Sequence, residues 1–269
     1  MAFRVRFEDA EVDGEVHFLG GEDSFIQQVL CYPRAQCVEA EDRIEALKSD
    51  GFEYLIESGK NICGLRVLGR GYRAIVVLAY HKRHGLGSLK ILRLDSTKSN
   101  LLEEVNMMNR AQPFQLPPKL YSYGDFYIFS ELIPVQKCRE FSKALQNLIK
   151  SSNEKELIKL LKRTTESLYK LDVAGISHME INRPDGHIFC CREDLKIVDW
   201  GSARLTKKPS NLTSLVSFLL FRFELSNDLG RILGFNKEKV VDAMREYKRS
   251  YNIEEFRKVL AALHLDETS

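Results

Sequence analysis

Asp199 closes a run of strand-forming residues, Leu195-Lys-Ile-Val-Asp-Trp-Gly201, and Gly201 opens a turn immediately after it. A carboxylate delivered to the end of a buried strand can hold a metal ion through hard oxygen ligands. Upstream, His178-Met-Glu-Ile-Asn-Arg-Pro-Asp-Gly-His-Ile-Phe189 gathers Glu180, Asp185 and His187 into one segment, in which Pro184 and Gly186 rule out a helix. Earlier still, Lys90 stands alone in the apolar strand Ser88-Leu-Lys-Ile-Leu-Arg93, and Gly69 and Gly71 separate two apolar β runs. Close glycines let backbone N–H groups approach phosphate oxygens with no side chain in the way, although a G-x-G between strands also serves as a plain turn. Likewise, Lys90 either faces solvent from a half-exposed strand or supplies a fixed positive charge. Phosphoryl transfer requires positive charge on the phosphates, a metal bridging them and a carboxylate that positions the attacking hydroxyl. Lys90, Asp199 and Glu180 are the residues that could supply these.

The elements that must position these groups are legible in part. Residues 1–60 are expected as an extension of short strands and one helix. Alternation in Phe3-Arg-Val-Arg-Phe7 and Glu15-Val-His-Phe18 suggests strands joined around Asp13-Gly14, and a charged helix follows from Val38 with Ile44 and Leu47 on its apolar side, stopped at Asp50-Gly51. Residues 61–133 hold the two β runs of Gly64–Tyr80, a turn over His81–Gly87, the Lys90 strand, a helix opened by Asn100 with Leu101, Val105 and Met108 on one face, and two strands around Gly124-Asp125. From 134 to 269 the pattern is helical. Glu140–Lys150 is one helix; Asn153 caps a second that carries Leu157, Leu160, Leu161, Leu168 and Leu171 to Gly175; and Thr213–Phe223 is an apolar core helix. Asn236 and Asn252 open two more. Glu156 and Glu255, three residues beyond Asn153 and Asn252, complete the capping-box pattern.

The loop and turn resemble the protein-kinase catalytic loop, H-R-D-L-x-x-x-N, and its metal-binding D-F-G, with Glu180 in place of the aspartate and Asp199-Trp200-Gly201 for the latter. Gly69-x-Gly71-x-x-Ala74-x-Val76 matches the kinase glycine-rich loop except for alanine at its third glycine, and Lys90 follows one strand later, as the V-A-I-K lysine does. The order of elements is similar to a small atypical archaeal serine/threonine protein kinase related to the RIO type. That resemblance implies an α+β, protein-kinase-like bilobal fold: an antiparallel β lobe with one C-helix and a small helical lobe. It implies ATP and Mg2+ as ligands, Glu104 as the partner of Lys90 with Glu103 solvated, and Glu131 and Ile133 as the backbone that meets an adenine edge, with Ser130 as gatekeeper; an ordinary strand ending in a turn explains that last stretch equally well. The loop asparagine has no direct counterpart. Counting from Glu180 reaches Asp185, while the start of the Ile188-Phe189 strand points to His187, so both are candidate metal ligands beside Asp199. Met179 replaces the arginine that reads a phosphorylated activation segment, which implies activity independent of such phosphorylation. A nucleotide-binding pseudokinase that serves as an interaction module is the alternative.

Composition is that of an ordinary globular chain: 269 residues, 44% hydrophobic and 10% aromatic. With 40 basic against 38 acidic residues, the formal charge of +2 gives no support to a nucleic-acid or ribonucleoprotein partner. The apolar runs are too short to span a membrane, and acidic residues interrupt the first stretch, so a cytoplasmic protein without a membrane partner is expected. Its phosphoacceptor is open, a protein or a small molecule. The six cysteines contain no C-x-x-C pair and are expected to be free buried thiols, a hyperthermophilic source being the exception.

Overall fold

The computed structural model describes residues 2–7, 10–134, 137–192 and 194–266, with side chains described from residue 13 onward. It is an α+β structure with an antiparallel sheet and nine α-helices among the described residues. The chain divides into two compact units, Met1–Asn106 with Pro118–Gln136, and Met107–Pro117 with Lys137–Ser269.

In the first unit, β1 (Ala2–Phe7) pairs with β2 (Ala10–Phe18) from Ala2 opposite Glu15 to Phe7 opposite Ala10. Asp13-Gly14 therefore lies inside β2, not at the turn expected there. The glycine has a packing reason, since a Cβ at Gly14 would meet Ile56 Cγ2 at 2.5 Å and Glu57 O at 2.9 Å. Helix α1 (Ser24–Leu30) starts where Oδ1 of Asp23 accepts the Ile26 N–H at 3.0 Å. Helix α2 is Ala40–Asp50, closed by Gly51 at φ 108°. Val38, expected on its apolar face, precedes the helix and is 91% exposed; Ala40 takes its place beside Ile44 and Leu47.

The remaining strands of this unit are β3 (Phe52–Glu57), β4 (Lys60–Ile62), β5 (Leu65–Val67), β6 (Gly69–Arg70), β7 (Ala74–His81), β8 (Gly85–Leu92), β9 (Leu120–Tyr123) and β10 (Tyr127–Ser130); helix α3 (Leu102–Ala111) begins in this unit, and its residues from Met107 on are counted with the second. The sheet runs β1-β2-β3-β7-β8-β10-β9, and β6 also pairs with β7, beyond the part of β7 that β3 covers. Residues 1–60, expected as an extension, thus contribute three strands to the same sheet as Lys90. One face carries the core: Phe25, Ile26, Val29 and Leu30 of α1 and Ile44 and Leu47 of α2 pack with Leu55, Ile75, Val77, Leu89, Ile91 and Phe129. Period-two alternation sends Ile56, Leu78 and Leu86 to the other face. The close approach of β8 to β10 demands Gly87, where a Cβ would collide with the Phe129 ring.

The second unit contains β11 (Cys138–Glu140), α4 (Phe141–Lys150), α5 (Glu154–Val173), β12 (Ile176–Ser177), β13 (Ile188–Cys191), β14 (Asp194–Ile197), β15 (Arg204–Leu205), α6 (Asn211–Phe221), α7 (Ser226–Leu233), α8 (Lys237–Ser250) and α9 (Ile253–Ala262). Asn153, Asn236 and Asn252 each cap the helix that follows, accepting the N–H three residues on. The two capping boxes are made on the asparagine side. The Asn153 N–H donates to Leu148 O, and Glu255 pairs with Lys258 at 2.7 Å.

The cysteines depart from expectation. Cys31 and Cys37 form one disulfide and Cys138 and Cys191 another. Cys138 and Cys191 face each other directly across β11 and β13, with Cα atoms 4.1 Å apart, a register that spacing in the sequence does not reveal. Cys190 points the other way as a half-buried thiol, and burial pushes its pKa up to about 12.

Candidate functional site

Two groups of the expected residues are assembled, one in each unit. In the first, β6, β7 and β8 lie side by side with Gly69 opposite Val76 and Val76 opposite Lys90, so these three residues form one row across the sheet. Direct cross-strand partners project from the same face, which places the Val76 and Lys90 side chains together. Lys90 Nζ donates to Glu104 Oε1 at 2.7 Å, with side-chain exposures of 17% and 6%. Helix α3 presents Glu104 because Leu101, Val105 and Met108 bury its apolar stripe, leaving the glutamate one residue from that seam. The neighbouring Glu103 is exposed and pairs with Lys98.

The glycine pair forms a short turn between β6 and β7. The Gly71 N–H donates to Ala74 O at 2.8 Å, and the Arg93 guanidinium donates to Gly71 O at 3.1 Å, which ties the turn to the end of β8. Ala74 is buried. A Cβ at Gly69 would meet nothing within 4 Å, so it is open space above the backbone, and not strain, that glycine preserves there. At the end of β10, Ser130 is buried, and the Glu131 N–H donates to Lys119 O at 2.8 Å while its carboxylate accepts the Lys119 N–H at 3.0 Å. The Ile133 backbone enters no such bond among the described residues.

In the second unit, the loop and turn are stitched to each other. His178 is fully buried; its Nε2–H donates to Val198 O at 3.1 Å, and its ring packs edge-on against Trp200 at 4.8 Å. The Val198 N–H donates to His187 O at 2.9 Å, and Ile188 pairs with Ile197. Pro184 O accepts both the His187 and Ile188 N–H groups, which closes the loop. These bonds bring the Glu180 segment, His187 and Asp199 into one local structure. Asp199 adopts φ 63°, ψ 68°, and Met179 adopts φ 73°. Left-handed backbone at a non-glycine residue costs free energy, and two instances in adjoining segments mark a place where geometry is imposed. Trp200 anchors the turn by burying its ring and donating Nε1–H to Ile197 O at 2.7 Å.

A magnesium ion asks for hard oxygen donors. Asp199 supplies a carboxylate at the strand end. Asp185 is exposed, and its Oδ1 accepts the Ser142 N–H at 3.2 Å at the start of α4, so part of its capacity serves the helix terminus. His187 keeps a buried Nδ1 and Asn182 a buried Oδ1, each without a hydrogen-bond partner. Asn182 was not anticipated, because it stands two positions after Glu180 where no motif places an asparagine. Its buried acyl oxygen fits a hard cation better than an imidazole does.

Beneath this loop lies a buried polar hub that the sequence motifs also missed. Asn211 Oδ1 accepts the His178 N–H at 2.8 Å, and its Nδ2 donates to Ile176 O at 2.6 Å and to Asp172 Oδ1 at 2.8 Å. Asp172, on α5, also accepts the N–H groups of Asn211 and Leu212 and the Tyr247 hydroxyl. Burial raises its pKa to about 6, against the lowering pull of those four donors. The signal available in sequence was slight: a lone Asp in the last turn of an apolar helix.

No family model matches this chain, and no curated protein matches it. Among the described residues, no helix is long and apolar enough to cross a membrane.

Proposed function

We propose that this chain is an ATP-dependent phosphotransferase of the protein-kinase-like type, moving the γ-phosphate of Mg-ATP to a hydroxyl acceptor. The observation that carries the reading is the buried Lys90–Glu104 pair at 2.7 Å, set in one row with Val76 and Gly69. A lysine on a central strand, oriented by a helix glutamate, is the arrangement kinases use to hold α- and β-phosphates. Isolated burial of an ion pair is costly, so its retention calls for a use.

In this reading Lys90 holds phosphate oxygens, and Glu104 fixes its amine. Gly69 and Gly71 leave room for phosphates against backbone; Ala74 and Val76 flank the nucleotide. The Glu131 carbonyl and the Ile133 N–H meet the adenine edge. Bound magnesium would neutralise charge developing on the transferred group. Asp199 would hold it, with Asp185, His187 or Asn182 as further donors. Glu180 accepts a hydrogen bond from the acceptor hydroxyl and orients it; its extra methylene relative to aspartate shifts the carboxylate by about one bond length. The α+β fold, with an antiparallel sheet in its first unit and a mostly helical second unit, is compatible with this reading.

Transfer of radiolabel from γ-labelled ATP to a generic acceptor or to the chain itself tests this, with wild type compared against Asp199→Ala and Lys90→Met. Labelled product with wild type alone is the expected result. Nucleotide binding without transfer in wild type points to the pseudokinase alternative, and equal labelling in all three rules out the assigned roles.

A further inference from the structure

The sheet carries a second cluster of ligand-type side chains, remote in the strand order from Lys90. On β2 and β3, Glu15 and Glu57 are direct cross-strand partners, and His17 lies two residues beyond Glu15 on the same face. The Glu15 carboxylate, a His17 ring nitrogen and the Glu57 carboxylate offer ligand atoms all within 4.8 Å of one another. We propose that Glu15, His17 and Glu57 bind a divalent first-row metal ion of the zinc class, with Asp23 as the positioning carboxylate behind the histidine.

The histidine decides the argument. His17 Nδ1 lies 2.8 Å from Asp23 Oδ2, and Asp23 is itself fixed because its other oxygen caps α1. A carboxylate on Nδ1 selects the Nδ1–H tautomer and leaves the Nε2 lone pair facing outward from that contact. That arrangement, a carboxylate behind a histidine whose other nitrogen is the ligand, is the usual support of a metal-bound imidazole. Here Nε2 is buried, has no hydrogen-bond partner, and looks onto Glu57 Oε2 at 3.6 Å. Neutral lone pair against carboxylate is repulsive; a cation between them removes the conflict. The spacing suits one, since donors bound tetrahedrally at about 2.0–2.2 Å stand roughly 3.3–3.6 Å apart.

Glu57 is held for this role. Its Oε1 accepts the Arg66 N–H at 3.3 Å, which leaves Oε2 on the His17 side. Imidazole with two carboxylates selects zinc, manganese or cobalt over calcium and magnesium, which prefer all-oxygen sites. The site gives the first strands of the chain a purpose separate from phosphoryl transfer and does not rest on that reading.

The test is calorimetric titration of the chelator-treated full chain with zinc chloride, in a Cys63→Ser, Cys190→Ser background that removes the two free thiols. One ion per chain is expected, with a rise in melting temperature. His17→Phe keeps the ring that packs 4.5 Å from Phe25 and should weaken binding at least about 100-fold. Glu57→Gln and Asp23→Asn should each cost roughly 10- to 100-fold. Zinc bound equally well by wild type and His17→Phe overturns the proposal. So does the absence of heat and of a melting shift in wild type at a roughly hundredfold excess.

Discussion

Oδ1 of Asp172 accepts two hydrogen bonds from a single residue, Asn211: one from its backbone N–H at 3.0 Å and one from its side-chain amide at 2.8 Å. The remaining amide oxygen of Asn211 holds the His178 N–H, so the start of α6 and the end of α5 together fix the entry to the Glu180 loop. Asn211→Ala removes three bonds and leaves buried partners unsatisfied, at about 3 kcal/mol or more. Unfolding in urea should show that loss. Transfer activity in the folded fraction should drop with little change in the KM for ATP, because the residue positions the loop and touches no nucleotide. A wild-type turnover number in the folded variant would refute this.

Asp172 also makes stability depend on pH. Its pKa is raised in the folded state to about 6 from an ordinary carboxylate value, so folding favours the protonated form. The stabilisation is complete below about pH 4, declines as pH rises through about 6, and is absent above; the shift corresponds to about 3 kcal/mol. Other carboxylates contribute their own slopes, so the comparison is the difference between wild type and Asp172→Asn. Urea midpoints measured from pH 4 to 8 should show wild type losing stability relative to the variant between pH 4 and 6 and running parallel above. Parallel curves throughout would exclude Asp172 as the source.

Lys90 and Glu104 separate stability from function. Removing one member strands the other as a buried charge, and Lys90→Met or Glu104→Leu alone should destabilise by about 3 kcal/mol. Replacing both with these apolar residues should recover most of that loss while leaving no transfer. Recovery of transfer in the double variant would show that Lys90 never met phosphate.

What the sequence disclosed follows from how local each signal is. Strand β8 with Lys90, helix α3 with Glu104, and the asparagine caps of α5, α8 and α9 are written in neighbouring residues, and they fold as written. The β3 strand was missed because Phe52-Glu-Tyr-Leu-Ile-Glu57 does not alternate: its buried residues, Phe52, Leu55 and Ile56, fall at irregular positions. The Cys138–Cys191 bond and the Asp172–Asn211–His178 hub depend on residues 53 and 33 to 39 positions apart, a separation over which periodicity says nothing. Asp13-Gly14 looked like a turn since glycine punctuates turns most often; here it makes space for β3.

The Cys138–Cys191 bridge closes a long segment of the second unit, with a sequence separation of 53. Cross-linking at that separation restricts the unfolded chain by about 4 kcal/mol in the loop-entropy picture, of which 2–4 is commonly realised. Changing both residues to serine should lower the urea midpoint accordingly. The short Cys31–Cys37 loop, separated by 6, should give the smaller effect when treated the same way. Equal loss from both pairs would point to strain relief or altered packing instead of chain entropy.

Gly69 offers the cleanest probe of the nucleotide reading, because nothing in the protein itself needs a glycine there. A Cβ at this position meets no atom within 4 Å, so Gly69→Ala should fold with stability changed by less than about 1 kcal/mol. Gly87→Ala is the contrasting control; its Cβ would drive into Phe129 and cost about 1–3 kcal/mol. If phosphates lie against the β6–β7 turn, the Gly69 methyl occupies their space, and the KM for ATP should rise several-fold at unchanged melting temperature. An unchanged KM would place the nucleotide elsewhere and leave the Gly69–Val76–Lys90 row without its proposed ligand.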